Sequence, residues 1–223
     1  MSLSSGLFLL AALGTAVSCS VVTPPRSAEE PVPVFEGDFT RVDESASDPG
    51  FQAFAGALGA AVSARDTSAL LSLVAPTARF SFDDAPLGPE GARRVWLDDR
   101  SDAFWDAIER VVAGGWVGEE DAMTAPYVFA LWPSALDPFA HVAVPGPRAS
   151  AHSRPRGEIV ARLSSIAVPV LGPPEQGWWP VTLPDGSAAY VHAADAVSPT
   201  GPRVTCWPDA DGAWRIQSML TGD

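Results

Sequence analysis

The chain has 223 residues, of which 47% are hydrophobic and 18% charged, so it is long enough for one large domain or two small ones. Acidic residues outnumber basic residues by 27 to 14, and the net charge of −13 argues against nucleic acids and anionic lipid surfaces, which bind clustered Lys and Arg. Two cysteines, Cys19 and Cys206, are too few for a disulfide scaffold or a cysteine metal site.

The first residues have the pattern of an export signal. Residues 3–17 form an apolar stretch that ends in small residues and is shorter than the ~20 residues of a transmembrane helix, so we predict a signal peptide over residues 1–18. Ala16-Val17-Ser18-Cys19 resembles a bacterial lipobox, which implies a lipoprotein that faces the periplasm or cell exterior and touches the membrane only through lipidated Cys19. The alternative is a signal cut elsewhere, which leaves Cys19 free to pair with Cys206.

The segment after the signal is predicted to be a disordered tether over residues 19–50. It is rich in Pro, Ser and acidic residues and has few apolar residues to bury. A lipoprotein needs such a segment to hold its folded part away from the membrane.

A helix-rich α+β domain is predicted over residues 51–137. Phe51, Phe54, Leu58 and Val62 recur at helical spacing, and Asp66 is placed to cap a second short helix. Two further helical segments follow, one opened by Pro89 and the other capped by Ser101.

Two strands are also predicted in this domain. Residues 78–82 alternate between apolar and polar side chains, and the run Tyr127–Trp132 lies between two prolines. The helix–helix–strand order of residues 51–82 resembles the opening of nuclear-transport-factor-like cone folds. The resemblance implies a small-ligand pocket, sometimes with a catalytic Asp–His pair, but the first histidine of this chain is His141.

A small all-β domain is predicted over residues 138–198, because short apolar runs alternate with Pro and Gly turns. The residues of this pattern are Ala149–His152, Arg154-Pro155, Ile159, Val160, Leu163, Val168, Val170, Gly177-Trp178-Trp179-Pro180-Val181, Leu183-Pro184-Asp185-Gly186 and Ala189-Tyr190-Val191-His192. With these residues the segment resembles a bacterial SH3-like domain, which implies a small barrel that binds a peptide or a cell-wall component.

The binding candidates are aromatic and histidine side chains of this domain. Neighbours on a strand point to opposite faces, so Trp178 and Trp179 cannot both be in the core. If Trp179 packs inward with Val181, Trp178 is free to meet a ligand beside Tyr190 and His192, with His152 as a further candidate.

The last residues form a β-hairpin over residues 201–220, in which Asp211-Gly212 marks the turn. An isolated hairpin is marginal in water, and the strands predicted at 78–82 and 127–132 lack partners. We therefore predict that the hairpin joins the sheet of the first domain, with the SH3-like barrel inserted between them.

The sequence contains no motif of a known reaction. Calcium-loop spacing is absent from the carboxylate clusters Asp83-Asp84, Asp98-Asp99-Asp102 and Asp209-Asp211. Zinc-ligand spacing is absent from the three histidines, His141, His152 and His192. We predict that Cys206 is a buried core residue. No cofactor or metal is predicted.

We therefore predict a non-enzymatic envelope lipoprotein whose partner is a cell-wall component or an envelope protein. Two alternatives stay open. One is a pocket enzyme or small-ligand carrier built on the first domain, and the other is a structural module that docks its own first domain or a larger partner.

Overall fold

The computed structural model describes residues 32–98 and 101–222, so the predicted signal peptide and Cys19 lie outside the described residues. The helices are α1 (Pro49–Ser63), α2 (Thr67–Ser72), α3 (Gly88–Ala92), which continues into a π-helical turn (Arg93–Leu97), α4 (Ser101–Ala113) and α5 (Tyr127–Ala130). The strands are β1 (Val34–Glu36), β2 (Val74–Arg79), β3 (Val117–Glu119), β4 (Ala122–Ala125), β5 (His141–Val144), β6 (Ala149–His152), β7 (Ile159–Ser164), β8 (Ile166–Pro169), β9 (Trp178–Thr182), β10 (Ala188–His192), β11 (Arg203–Pro208) and β12 (Trp214–Leu220).

The first two helices begin at aspartate caps. Asp48 accepts a hydrogen bond from the Phe51 N–H at 2.5 Å, and Asp66 accepts one from the Ala69 N–H at 3.0 Å, so each satisfies a backbone donor that the helix leaves unpaired. The predicted apolar face of α1 is confirmed, because Phe51, Leu58 and the other residues of that face are buried.

The helix-backed lobe, residues 49–130 and 203–220, contains one five-stranded sheet in the order β2-β12-β11-β4-β3. The C-terminal hairpin β11–β12 occupies the centre of this sheet, where β12 pairs parallel with β2 and β11 pairs antiparallel with β4. The pairing predicted for the hairpin is therefore present. Helices α1 and α4 cover one face of the sheet and bury a core rich in aromatic side chains: Phe51, Phe54, Phe80, Phe104, Trp105 and Trp116.

The all-β lobe, residues 34–36 and 141–192, contains a second five-stranded sheet in the order β1-β7-β6-β10-β9. We call it the tryptophan sheet, because β9 carries Trp178 and Trp179. Strands β5 and β8 pair antiparallel in a separate two-stranded sheet beside it. The five strands predicted between residues 149 and 192 are confirmed, and Val181 and Val191 point into the core of this lobe.

The predicted fold class is wrong. Strand residues outnumber helical residues in the described part of the chain, and the region expected to be helix-rich is organised around a five-stranded sheet. Within residues 32–98 and 101–222 neither sheet closes into a barrel. The tryptophan sheet stays open because β5 and β8 pair with each other in a separate sheet and because β1 pairs with the outer edge of β7.

The strands predicted in the first domain also need correction. Tyr127–Trp132 is not a strand, because residues Tyr127–Ala130 form α5, and the sheet strand next to the hairpin is β4. A continuous apolar run fits a buried strand and a buried helical turn equally well. Strand β2 begins four residues before the predicted one and ends at Arg79, so Phe82 lies outside it.

The tether predicted over residues 19–50 is wrong in its second half, which is ordered against both lobes, and residues 19–31 lie outside the described residues. Strand β1 pairs parallel with β7, and residues 37–48, which we call the strap, then run to the cap of α1. Phe39 donates its N–H to the Ser165 carbonyl at 2.8 Å, and Glu44 donates its N–H to the Trp116 carbonyl at 2.8 Å. The strap therefore binds the all-β lobe at one end and the helix-backed lobe at the other.

A small aromatic cluster holds the strap in place. The Phe39 ring packs against the rings of Tyr127 and Trp132 at centroid distances of 5.5 and 5.7 Å, and the Tyr127 hydroxyl donates to the Phe39 carbonyl at 3.3 Å. Burial raises the pKa of Tyr127 to about 12, so this hydroxyl stays a donor over the physiological range. At Gly115, with φ of +86°, a Cβ atom would stand 2.2 Å from the Val42 carbonyl oxygen, so only glycine lets the strap lie this close.

None of the helices in the described ranges is both long enough and apolar enough to cross a membrane.

Candidate functional site

The predicted site residues of the tryptophan sheet lie together on its outer face. Trp178 stands between two histidines: its ring centroid lies 5.1 Å from that of His152 and 5.0 Å from that of His192, with interplanar angles of 81° and 80°. Strand register brings them there, because His192 pairs with Trp178, and Tyr190 pairs with both His152 and Pro180. The sequence therefore identified residues that do converge.

Hydrogen bonds hold both imidazoles against the indole. His152 Nδ1 lies 2.8 Å from the Gly157 carbonyl oxygen, and a carbonyl only accepts, so Nδ1 carries the proton. His192 Nδ1 accepts from the Ala194 N–H at 3.2 Å, so its proton is on Nε2. With the histidines fixed on its two sides, Trp178 is only 8% exposed. The expectation that Trp178 is free to meet a ligand is wrong.

Trp179 faces the other way and lines a cleft. It packs against the core of the all-β lobe, as predicted for the inward member of the pair, but it remains half-buried. The cleft beside it has a volume of about 540 Å³ and lies between the two lobes. Its lining residues are Ala107, Arg110, Val111, Ala113, Gly114, Pro126, Pro174, Trp179, Ala193, Ala194, Ala196, Val197, Ser198, Gly201 and Pro202.

The two walls of the cleft have different origins. One wall is the last two turns of α4 and the residues that follow its end. The other is the chain from Ala193 to Pro202, which leaves β10 and returns to the helix-backed lobe. Reciprocal backbone bonds between Val197 and Ala143, at 2.8 and 2.9 Å, and a bond from the Ala193 N–H to the Gly177 carbonyl at 2.8 Å hold this second wall in place. The cleft is therefore preformed by backbone hydrogen bonds, although part of it is loop.

A second groove of about 420 Å³ adjoins the cleft. Ala194 and Val197 line both, so the two depressions share a wall. Arg148 and Asp195 are the charged residues that line the groove.

The charge of the cleft differs from the charge of the whole protein. In a chain of net charge −13, the described residues that line the cleft include one charged side chain, Arg110, and no carboxylate. The remaining polar side chain is Ser198, whose hydroxyl lies 3.1 Å from that of Thr200. The cleft is therefore an apolar surface with one positive charge.

The remaining candidates are the metal-ligating side chains and the two cysteines. In the described ranges no three His, Cys, Asp or Glu side chains come close enough together to hold a metal ion. Cys206 is fully buried in the core of the helix-backed lobe, and burial raises the pKa of its thiol, so it is a core residue as predicted. Cys19, the predicted lipidation site, lies outside the described residues.

Comparison of the chain with protein-family models, with curated proteins and with solved structures found no match.

No feature of the sequence indicated Arg110, and the prediction favoured Trp178 although Trp179 is the tryptophan that lines the cleft. Arg110 and Trp179 are 69 positions apart and belong to different lobes, so no local pattern relates them. The rule that neighbouring strand residues point to opposite faces separated the two tryptophans correctly. It could not show which face other elements would cover.

Proposed function

We propose that the protein is a non-catalytic binding protein of the bacterial cell envelope, and that the cleft and its adjoining groove hold an extended segment of a peptide or a cell-wall component. The observation that carries the proposal is the apolar lining of the cleft, which includes the half-buried Trp179, next to a groove that shares Ala194 and Val197 with it. A half-buried tryptophan in a preformed cleft offers a large rigid contact surface at small entropic cost.

The ligand class follows from two supports. The resemblance of residues 138–198 to bacterial SH3-like domains implies peptide or cell-wall binding, and the predicted export of the chain places such material within reach. The apolar lining supports a binding role over the alternative of a pocket enzyme, because a catalytic site needs positioned acids, bases or nucleophiles. The carboxylates that this alternative would use, Asp83, Asp84 and Asp98, are not among the lining residues of the cleft.

The test is to fill the cleft from the helix wall. Ala107 lines the cleft and lies on α4, whereas Ala103, one turn earlier, is exposed and does not line it. The full chain and its Ala107→Trp and Ala103→Trp variants would be mixed with purified peptidoglycan sacculi and sedimented. We expect the wild type and Ala103→Trp to sediment with the sacculi and Ala107→Trp to remain in solution.

Thermal melts of both variants separate loss of binding from loss of folding. The proposal is wrong if the wild type stays in solution, or if folded Ala107→Trp sediments as well as folded Ala103→Trp.

The envelope location has its own test. We propose that the mature chain begins at a lipidated Cys19, and that several acyl chains hold it, because one chain anchors only marginally. Mass spectrometry of the N-terminal peptide from a membrane fraction should show the modified cysteine. An unmodified N-terminus after residue 20, or a Cys19–Cys206 disulfide, contradicts this assignment. The full burial of Cys206 argues against the disulfide.

A further inference from the structure

We infer that the ligand of the cleft is a peptide that carries a carboxylate beside apolar residues, and that Arg110 binds this carboxylate. The inference rests on the proposed function and names the chemistry of its ligand. It starts from the contrast between the cleft and the rest of the protein. Acidic side chains are about twice as numerous as basic ones in the chain, yet the described residues that line the cleft include an arginine and no acid.

Arg110 is held in position but keeps donors for a ligand. Its Nε donates to the Asp106 carbonyl at 3.0 Å, which ties the base of the guanidinium to α4. Among the described residues no carboxylate lies within ion-pair distance of Arg110. The nearby Asp106 side chain pairs with Arg65 instead, at 2.7 Å. The two Nη groups are therefore open to a ligand, and they form the flat fork that matches a carboxylate.

The apolar surroundings favour a carboxylate on an otherwise apolar ligand. A polyphosphate or nucleic acid would need several cations, and among the described residues the cleft lining provides Arg110 alone. The adjoining groove has Arg148 together with Asp195, so its charges balance. The ligand carboxylate is therefore expected against the α4 wall of the cleft, with the apolar part of the peptide along Trp179 and the wall of residues 193–202.

A purely structural role for Arg110 makes a different prediction. Arg110 lies in the last turn of α4, where a positive charge also stabilises the helix C-terminus. If that were its only role, Arg110→Gln would lower the melting temperature and leave ligand preference unchanged. Preference between charged and neutral ligands is therefore the deciding measurement.

The experiment compares two peptides that differ only at the C-terminus. Acetyl-Ala-Pro-Ala-Leu-Ala with a free carboxylate and the same peptide with a carboxamide would be titrated calorimetrically into the full chain. We expect the amide to bind the wild type about tenfold more weakly, since one charge-assisted hydrogen-bonded pair supplies a difference of that order. Arg110→Gln should bind the acid about tenfold more weakly and no longer distinguish the two peptides. Arg110→Lys should keep part of the preference.

Arg94→Gln is the matched control, because Arg94 is an exposed helical arginine that does not line the cleft. It should behave as the wild type does. Equal binding of acid and amide by the wild type, or retained preference in Arg110→Gln, overturns the inference. If the wild type still sediments with sacculi in that case and Ala107→Trp does not, only the carboxylate assignment fails. If the wild type binds neither sacculi nor peptide, the proposed function fails with it.

Discussion

The two lobes fill their cores with different side chains. The helix-backed lobe buries six phenylalanine and tryptophan rings between its helices and its sheet, whereas the core of the all-β lobe consists of Val, Leu and Ala, with Trp179 and Phe35 at its margin. Valine, leucine and alanine side chains already fill the core of the all-β lobe, and close packing leaves no space for a ring there. The tryptophans of β9 are therefore displaced from the core: histidines cover Trp178 on the outer face, and Trp179 lines the cleft.

The largest expected effect is the removal of a ring from the aromatic core. Phe51 is fully buried and contacts the rings of Phe54, Trp116 and Trp214 at centroid distances of 4.8 to 5.8 Å. Phe51→Ala should lower the free energy of unfolding by about 3–5 kcal/mol, since it leaves a cavity among large groups. Urea unfolding of the full chain measures this. A loss below about 1 kcal/mol would mean that the lobe does not depend on its aromatic core.

The next effect concerns the outer face of the tryptophan sheet. Because Trp178 is wedged between His152 and His192, Trp178→Ala should cost about 3 kcal/mol, and Trp179→Ala, which removes a half-buried ring, should cost about half as much. Trp179→Ala should instead abolish sedimentation with sacculi. Exposed Trp207, on β11 and outside the cleft, supplies the control Trp207→Ala. The opposite ranking of Trp178 and Trp179 in stability would show that their environments are reversed.

A smaller effect tests whether the core of the all-β lobe is limited by space. Ala189 is fully buried on β10, and its neighbour Ala188 is exposed on the same strand. Ala189→Leu should cost about 1–3 kcal/mol through overpacking, whereas Ala188→Leu should change stability by less than about 0.5 kcal/mol. Thermal melts of the pair decide the point. If Ala189→Leu is neutral or stabilising, the core has unfilled space and the explanation given for the displaced aromatic residues is wrong.

The smallest expected effect is a change in stability at acid pH, which can be measured for one turn from each lobe. The pKa of Asp209 is lowered by hydrogen bonds from the Ala213 and Asp211 N–H groups and by the charge of Arg215. The pKa of Asp185 is lowered by hydrogen bonds from the Ser187 side chain and N–H. A lowered folded-state pKa contributes stability above the unfolded pKa of about 3.8, and this is lost as the pH falls through the folded value.

Asp209→Asn and Asp185→Asn should therefore be less stable than the wild type at neutral pH, and each difference should shrink below about pH 3.8. Urea unfolding between pH 2.5 and 7 measures the trend. A difference that stays constant over that range would show that the turn carboxylates contribute through shape and not through charge.

Local patterns determined much of the secondary structure. The spacing of Phe51, Phe54, Leu58 and Val62 specified α1, and Asp211-Gly212 specified the hairpin turn, because these features depend on neighbours within one or two turns of chain. The alternation of strand side chains also separated Trp178 from Trp179. Each of these inferences needs only the covalent geometry of the backbone.

Contacts between distant segments decided the rest. Tyr127–Ala130 forms a helix where the strap and Trp132 surround it, and residues 34–48 are ordered because both lobes offer them partners. The histidines that cover Trp178 come from β6 and β10, and the cleft requires α4 to stand opposite residues 193–202. Burial depends on what other segments place over a side chain. The sequence by itself therefore determined which residues share a face, and the tertiary structure decided which of those faces is open to a ligand.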